Sequence, residues 1–223
     1  MKDQALSHCI KKHADIWEER GCREASLDEI AGYPESDFAG RAEDVRSKLL
    51  PQPGNLLLDA GAGPGALTAP LAKDFARIVA FDLAHSNLRR VCRGNRRVSC
   101  IQGSIHQLPF ATGVFDRVLC YGVLHCFPSW EAAENVVKEL VRVCKPEGRI
   151  LIGDNEPLVN TAFSPPVEKQ PVNVAEYDTE VIYLSFDQAF FEKLLRPIGY
   201  HCIFQDTWKG SGHFDVIISR RAV

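Results

Sequence analysis

Apolar positions along the chain fall into short runs separated by amphipathic stretches. The runs are "NLLLDA" (55–60), "RIVAFDL" (77–83), "VSCIQGS" (98–104), "FDRVLCYG" (115–122) and "RILIGD" (149–154). Their length and apolar composition predict buried strands. Between them, "ALTAPLAKDFA" (66–76), "SNLRRVCRG" (86–94) and "SWEAAENVVKELVRVCK" (129–145) predict helices. In the last of these, Val136, Leu140, Val143 and Cys144 share one face. Ser129 stands where it can cap the helix, and Pro146 and Gly148 stop it. Strands that alternate with helices imply β-α-β units and a parallel sheet covered on both faces.

The flanks follow other patterns. Residues 1–50 read as amphipathic helices. There "SLDEIAGYPESDF" opens on Ser26 with Glu29 three residues on, a capping box. Residues 155–184 are irregular, with Pro157, Pro165, Pro166 and Pro171. "SFDQAFFEKLLRPIGY" (185–200) predicts a helix, with Ser185 and Gln188 spaced as a second capping box. "HCIFQD" and "HFDVIIS", joined by "TWKGSG", predict an antiparallel hairpin at the sheet edge. The expected fold is α/β: a doubly wound, mostly parallel seven-stranded sheet with an antiparallel C-terminal hairpin and a helical N-terminal lid.

Composition narrows the setting. The 223 residues suggest one domain with additions. No apolar run approaches the ~20 residues of a membrane span, and the charged N-terminus lacks the apolar stretch of a signal peptide. The expectation is a cytoplasmic protein without a membrane partner. A net charge of −3 gives no reason to expect nucleic acid. The five arginines of "RRVCRGNRR" (89–97) read as a solvated helix end. "SPPV" (164–167) lacks the aromatic residue of the base-stacking motif in amino-methylating DNA enzymes. The eight cysteines form no C-x-x-C pair and fit no common zinc spacing, so reduced thiols and no metal are expected.

The chemistry concentrates in "LLLDAGAGPGALT" (56–68), a strand ending in a carboxylate followed by Gly61, Gly63 and Gly65. Such a loop lets a ligand approach backbone N–H groups at a helix start. G-x-G-x-x-A also satisfies the dinucleotide fingerprint, and Asp82, 21 residues after Gly61, suits a ribose in either case. Asp59 argues against the dinucleotide, because a carboxylate there repels a pyrophosphate and suits an ammonium group.

At this point the chain resembles the class I S-adenosylmethionine (SAM)-dependent methyltransferases, small-molecule type. The segments that carry the likeness are "LLLDAGAGPG" (56–65), "IVAFDL" (78–83), "CIQGSIHQLPF" (100–110), "FDRVLCYGVLHCFP" (115–128) and "VCKPEGRILIGD" (143–154). The resemblance implies SAM as cofactor and S-adenosylhomocysteine (SAH) as product. It places Gly61, Gly63 and Gly65 against the methionine part and Asp59 on the ammonium side. Asp82 would accept the ribose hydroxyls and Leu83 would pack on the adenine, with Ser104 and Ile105 at its edge. Tyr121 and Gly122 would line the far side of the sulfonium. Some small-molecule O-methyltransferases of similar sequence use a histidine and an aspartate where His125 and Asp154 stand, which makes these two the candidate catalytic pair: His125, titrating near 6–7, would take the hydroxyl proton, and the Asp154 carboxylate would hold its ring. The chain then divides into a lid (1–50) and a SAM-binding domain (51–223), with 155–184 as a substrate-side insertion. The expected partner is a small organic acceptor methylated at a hydroxyl, held among Trp17, Tyr33, Phe38, Phe163, Tyr177 and Tyr183. A SAM-binding sensor or partner subunit without transfer activity and an NAD-dependent oxidoreductase are the alternatives.

Overall fold

The computed structural model describes residues 2–23, 38–93, 95–158, 184–208 and 212–220. The Ser26 capping box, Tyr33, the "SPPV" segment, Phe163, Tyr177 and Tyr183 lie outside the described residues.

Two helices come first, α1 (Lys2–Cys22) and α2 (Phe38–Leu49). The strands β1 (Leu56–Ala60), β2 (Arg77–Asp82), β3 (Val98–Gln102), β4 (Phe115–Tyr121) and β5 (Cys144–Asn155) follow. Between them run α3 (Thr68–Leu71), α4 (His85–Val91), a 3-10 turn (Leu124–Cys126) and α5 (Trp130–Val143). The chain closes on α6 (Gln188–Leu195), β6 (Tyr200–Asp206) and β7 (Phe214–Arg220). The seven strands form one sheet in the order β3-β2-β1-β4-β5-β7-β6. β1 to β5 pair in parallel, while β7 enters antiparallel between β5 and β6. This is the expected doubly wound, mostly parallel sheet with its antiparallel hairpin.

Side chains alternate across the sheet with a period of two. Leu57, Ile78, Leu119, Leu151 and Ile217 bury one face against Ala42, Val45 and Leu49 of α2. Leu58, Val118, Cys120, Ile150 and Ile152 bury the other against Val136, Val137 and Leu140 of α5 and Phe191 of α6. α2 is therefore packed into the sheet core, tied there by Lys48. Its ammonium donates to Asp44 (2.6 Å), to the Asp206 carbonyl (3.0 Å) and to Asp215 (2.7 Å).

Several local expectations change. The segment 66–76 forms only the four-residue α3, with Pro70 inside its first turn, before the chain enters β2 at Arg77. α5 ends at Val143, since Cys144 already pairs with Phe115 as the start of β5. Ser129 does cap α5, accepting from the Ala132 N–H at 3.2 Å. The cap of α6 is Asp187, accepting from Phe190 N–H at 2.8 Å, and not Ser185. Cys92 and Cys100 form a disulfide, contrary to the expectation of reduced thiols throughout. The helix α4 and the strand β3 bring two residues eight apart in sequence to a Cα separation of 6.3 Å, which spacing alone does not reveal. Among the described residues no helix is long and apolar enough to cross a membrane.

Candidate active site

Register aligns the C-terminal ends of the central strands. Asp59 sits level with Ala80 and Leu119, Asp82 with Gln102, and Tyr121 with Gly153. In an open parallel sheet these ends surround the crevice where ligands bind. Here they floor a cavity that the glycine loop, the ends of β2 and β4 and residues of α1 line together.

The glycine loop forms one wall. Gly61 has φ of 85°, and a Cβ there would come within 2.4 Å of Val123 Cγ2, so no other residue fits without moving that wall. The loop is pinned by Asp82, whose carboxylate accepts from Gly63 N–H and Ala84 N–H, each at 2.8 Å. Burial nonetheless raises the Asp82 pKa, against those two bonds. Asp59 is 3% exposed and accepts from the Thr68 hydroxyl at 2.6 Å. Burial pushes it up to about 6, with Thr68 opposing and Asp82 adding. Two carboxylates kept close in a water-poor pocket are unfavourable for the folded chain by itself and favourable for a ligand that brings donors and positive charge.

Of the residues assigned to the cofactor from the sequence, Asp59, Gly61, Gly63, Asp82, Leu83, Ser104, Ile105, Tyr121 and Gly122 all face the cavity. Gly65 is the exception. It lies behind the loop, where a Cβ would meet Val91 at 2.9 Å, so its absence of side chain serves packing against α4.

The pair His125 and Asp154 lies beside the cavity, not in its lining. Asp154 ends β5 with φ of 61°, a left-handed conformation that few non-glycine residues adopt. Its carboxylate is 3.0 Å from His213 Nδ1 and 4.0 Å from the Arg41 guanidinium. Arg41 in turn donates to the Tyr121 hydroxyl at 2.9 Å. The expected arrangement, with the Asp154 carboxylate holding the His125 ring, is therefore replaced by an Asp154–His213 pair, while His125 engages the Asp154 main chain. Burial lowers His125 to about 4, against the nearby Asp154 charge, whereas the hydrogen bond to Asp154 raises His213. His125 is thus neutral at physiological pH instead of titrating near 6–7, because its ring is shielded from water and Asp154 spends its charge on another imidazole.

Sequence reading missed Arg41 and His213, which reach the site only through long-range folding. It also missed Ile10 and His13, which face the cavity with Trp17 and Phe38. A signal for them exists: Ile10, His13 and Trp17 are spaced i, i+3, i+7, one face of α1.

Comparison with known proteins defines the class. The family described as "Methyltransferase domain" matches residues 58–152. A demethylmenaquinone methyltransferase of Mycobacterium marinum is 34% identical over 125 residues, covering 54% of this chain and 50% of that protein. One from Corynebacterium kroppenstedtii is 33% identical over 120 residues, with the same coverage of each. The chain spans about half the length of the curated relatives it matches. Among solved structures, a SAM-dependent methyltransferase of Leishmania major superposes with a TM-score of 0.70 at 16% identity, over 96% of this chain and 83% of that one. Magnesium protoporphyrin IX methyltransferase of Synechocystis PCC 6803, crystallised with SAM, gives 0.64 at 18% identity, over 94% and 95%. Residues 58–152 are similar to that methyltransferase domain, and the fold around them is the one seen in the solved SAM-dependent methyltransferases. The Synechocystis enzyme was crystallised with SAH and with SAM. The residues present fit that group: two buried carboxylates face a loop whose glycine at position 61 leaves no room for a side chain.

Proposed function

We propose that the protein transfers a methyl group to a small, largely apolar organic acceptor, and that the acceptor atom is a hydroxyl oxygen. The observation that carries this reading is the asymmetry of one cavity. Carboxylates and backbone N–H groups line its glycine-loop side, and Ile10, Trp17, Phe38 and Phe127 line the other. SAM supplies an electrophilic methyl group on a sulfonium whose departure leaves a neutral thioether.

The chain's residues then have separable tasks. Asp59 faces the ammonium group, and Asp82 uses its remaining lone pairs for the ribose hydroxyls. Leu83, Ser104 and Ile105 border the adenine, and Tyr121 and Gly122 border the sulfonium. Gly61 and Gly63 allow close approach to backbone. Alignment of donor and acceptor is worth up to ~7–11 kcal/mol in such displacements. His125 is present as the neutral imidazole able to receive a hydroxyl proton, and Asp154 lies close enough to stabilise the cation that results. The relatives named demethylmenaquinone methyltransferase support a small, apolar ring compound as acceptor, which the apolar wall would accommodate.

Two measurements test the proposal. Calorimetry should detect SAH binding, and Asp82→Ala should weaken it at least tenfold, as expected for two lost hydrogen bonds to a buried carboxylate at ~1.5 kcal/mol or more each. Incubation with methyl-labelled SAM and a cell extract should place label in the organic-soluble fraction. Label that stays entirely in SAM would identify a sensor and overturn the transfer reading.

A further inference from the structure

The apolar wall holds one polar group that the reading above does not use. His13 lines the cavity from α1 and is 8% exposed overall, and its ring nitrogens stay accessible from the cavity side. A polar group set in an otherwise apolar wall is the kind that orients a ligand. Burial lowers the His13 pKa, with Lys12 adding to the effect, so the ring is neutral at physiological pH. A neutral imidazole carries one acceptor nitrogen and one donor.

The position of His13 is not accidental to a loose helix. The C-terminal half of α1 is bound to α4: Ser86 N–H donates to both Glu18 carboxylate oxygens (3.2 and 3.1 Å), and the Ser86 hydroxyl to the Glu18 carbonyl at 2.9 Å. Arg90 donates to the Gly21 carbonyl at 2.9 Å. Five residues before Glu18, His13 lies ~7.5 Å back along the axis of α1. Ile10 and Trp17 flank it on the same helix face, and Phe38 and Phe127 line the same cavity.

We infer that His13 is the hydrogen-bonding anchor for the methyl acceptor, and that the acceptor is a flat, apolar molecule bearing a hydroxyl group, of the phenol or naphthol class. This rests on the methyl-transfer reading of the site and adds to it the feature that selects the substrate. The imidazole N–H donates to the hydroxyl oxygen, which leaves the hydroxyl proton for His125, while the aromatic side chains enclose the ring. A hydrocarbon of the same shape leaves the nitrogen unpaired and is discriminated against, as in other sites built to bond a substrate hydroxyl.

The test compares 2-naphthol with naphthalene, followed by Trp fluorescence with and without saturating SAH. The wild type should bind 2-naphthol roughly fivefold or more tightly, the value of one hydrogen bond. His13→Leu should bind the two equally while keeping naphthalene and SAH affinities, and His13→Gln should retain part of the preference. Circular dichroism verifies that both variants fold, and His13→Gln serves alone if His13→Leu does not. Equal binding of the two probes by the wild type overturns the inference, as does a full preference in His13→Leu. SAH that fails to bind sinks the cofactor reading separately, because the probe comparison is also scored without it.

Discussion

The glycine-loop wall of the cavity and the wall opposite it differ in how far apart their residues lie in the chain. On the first, Asp59, Gly61, Gly63 and Thr68 fall within ten residues, and Asp82 joins them across one β-α-β unit. On the second, His13, Phe38 and Phe127 come from three distant elements, and Tyr121 is held by Arg41, 80 residues earlier. A local wall depends on backbone conformations that a short motif specifies. A distributed wall depends on α1, α2 and the C-terminal hairpin all docking correctly. The local wall should therefore survive damage to the flanks, while the distributed wall should not.

Removing α1 is the harshest way to break that contrast. Deletion of residues 1–23 takes Ile10, His13 and Trp17 from the cavity and admits water to the reacting groups. Turnover with the true acceptor should fall by ~10³-fold or more as alignment is lost, while SAH still binds. A truncated protein with full turnover shows that α1 does not close the acceptor side.

Lys48→Met is next. It removes the Lys48 ammonium from Asp215, a carboxylate with 0% exposure that also accepts from Asp154 N–H and the Thr207 hydroxyl. Leaving one partner of a buried pair alone costs about 3–5 kcal/mol, measurable by urea unfolding, and it should loosen Asp154 more than the glycine loop. A loss below ~1 kcal/mol would show that α2 is held by its apolar face and not by this ion pair.

His125→Ala separates binding from chemistry. Turnover should drop ~10²-fold with SAH affinity unchanged. The neutral form of His125 prevails above about 4, so His125 leaves the rate flat from pH 6 to 9. His213 is raised above 6.5, so the positive charge beside Asp154 is present below that pH and is lost as pH rises through its folded value. A rate that changes through an ionisation at or above 7, and that becomes flat in His213→Gln, would move the proton-accepting role to the Asp154–His213 pair.

The mildest change sharpens the local wall. Asp59 is raised from 3.8 to about 6, so its ionisation disfavours the folded state progressively between those values and fully above 6. Asp59→Asn keeps an acceptor for Thr68 and removes the buried charge. It should stabilise the ligand-free protein by ~1 kcal/mol, or ~2–4 °C in Tm, at pH 7.5, with no gain at pH 4. SAH should bind more weakly in the same variant. Identical gains at both pH values would mean that charge burial is not the cause.

Strand positions, strand order type and the loop that borders the cavity were legible because they are written at short range. A period-two apolar pattern states which residues face the core, and a glycine at a left-handed position states where backbone must come close. Even there one residue escaped: Gly65 looks like its two neighbours in the motif, yet only three dimensions reveal that it abuts Val91. The Asp187 cap was hidden by Ser185, an equally good capping residue two positions earlier, because the choice between them is made by where Phe191 and Leu195 must bury. His125 and Asp154 were visible as residues at strand ends, but their relation was not. Whether a carboxylate meets one imidazole or another depends on the entry of β7 beside β5, which brings His213 to Asp154 from 59 residues away. The sequence by itself thus determined the α/β class, the glycine loop and its carboxylates, since these follow from backbone geometry and local patterning. Only the tertiary structure decided the disulfide, the burial of His125 and the polar group that α1 turns to the cavity, because burial and charge neighbours are properties of packing and have no local code.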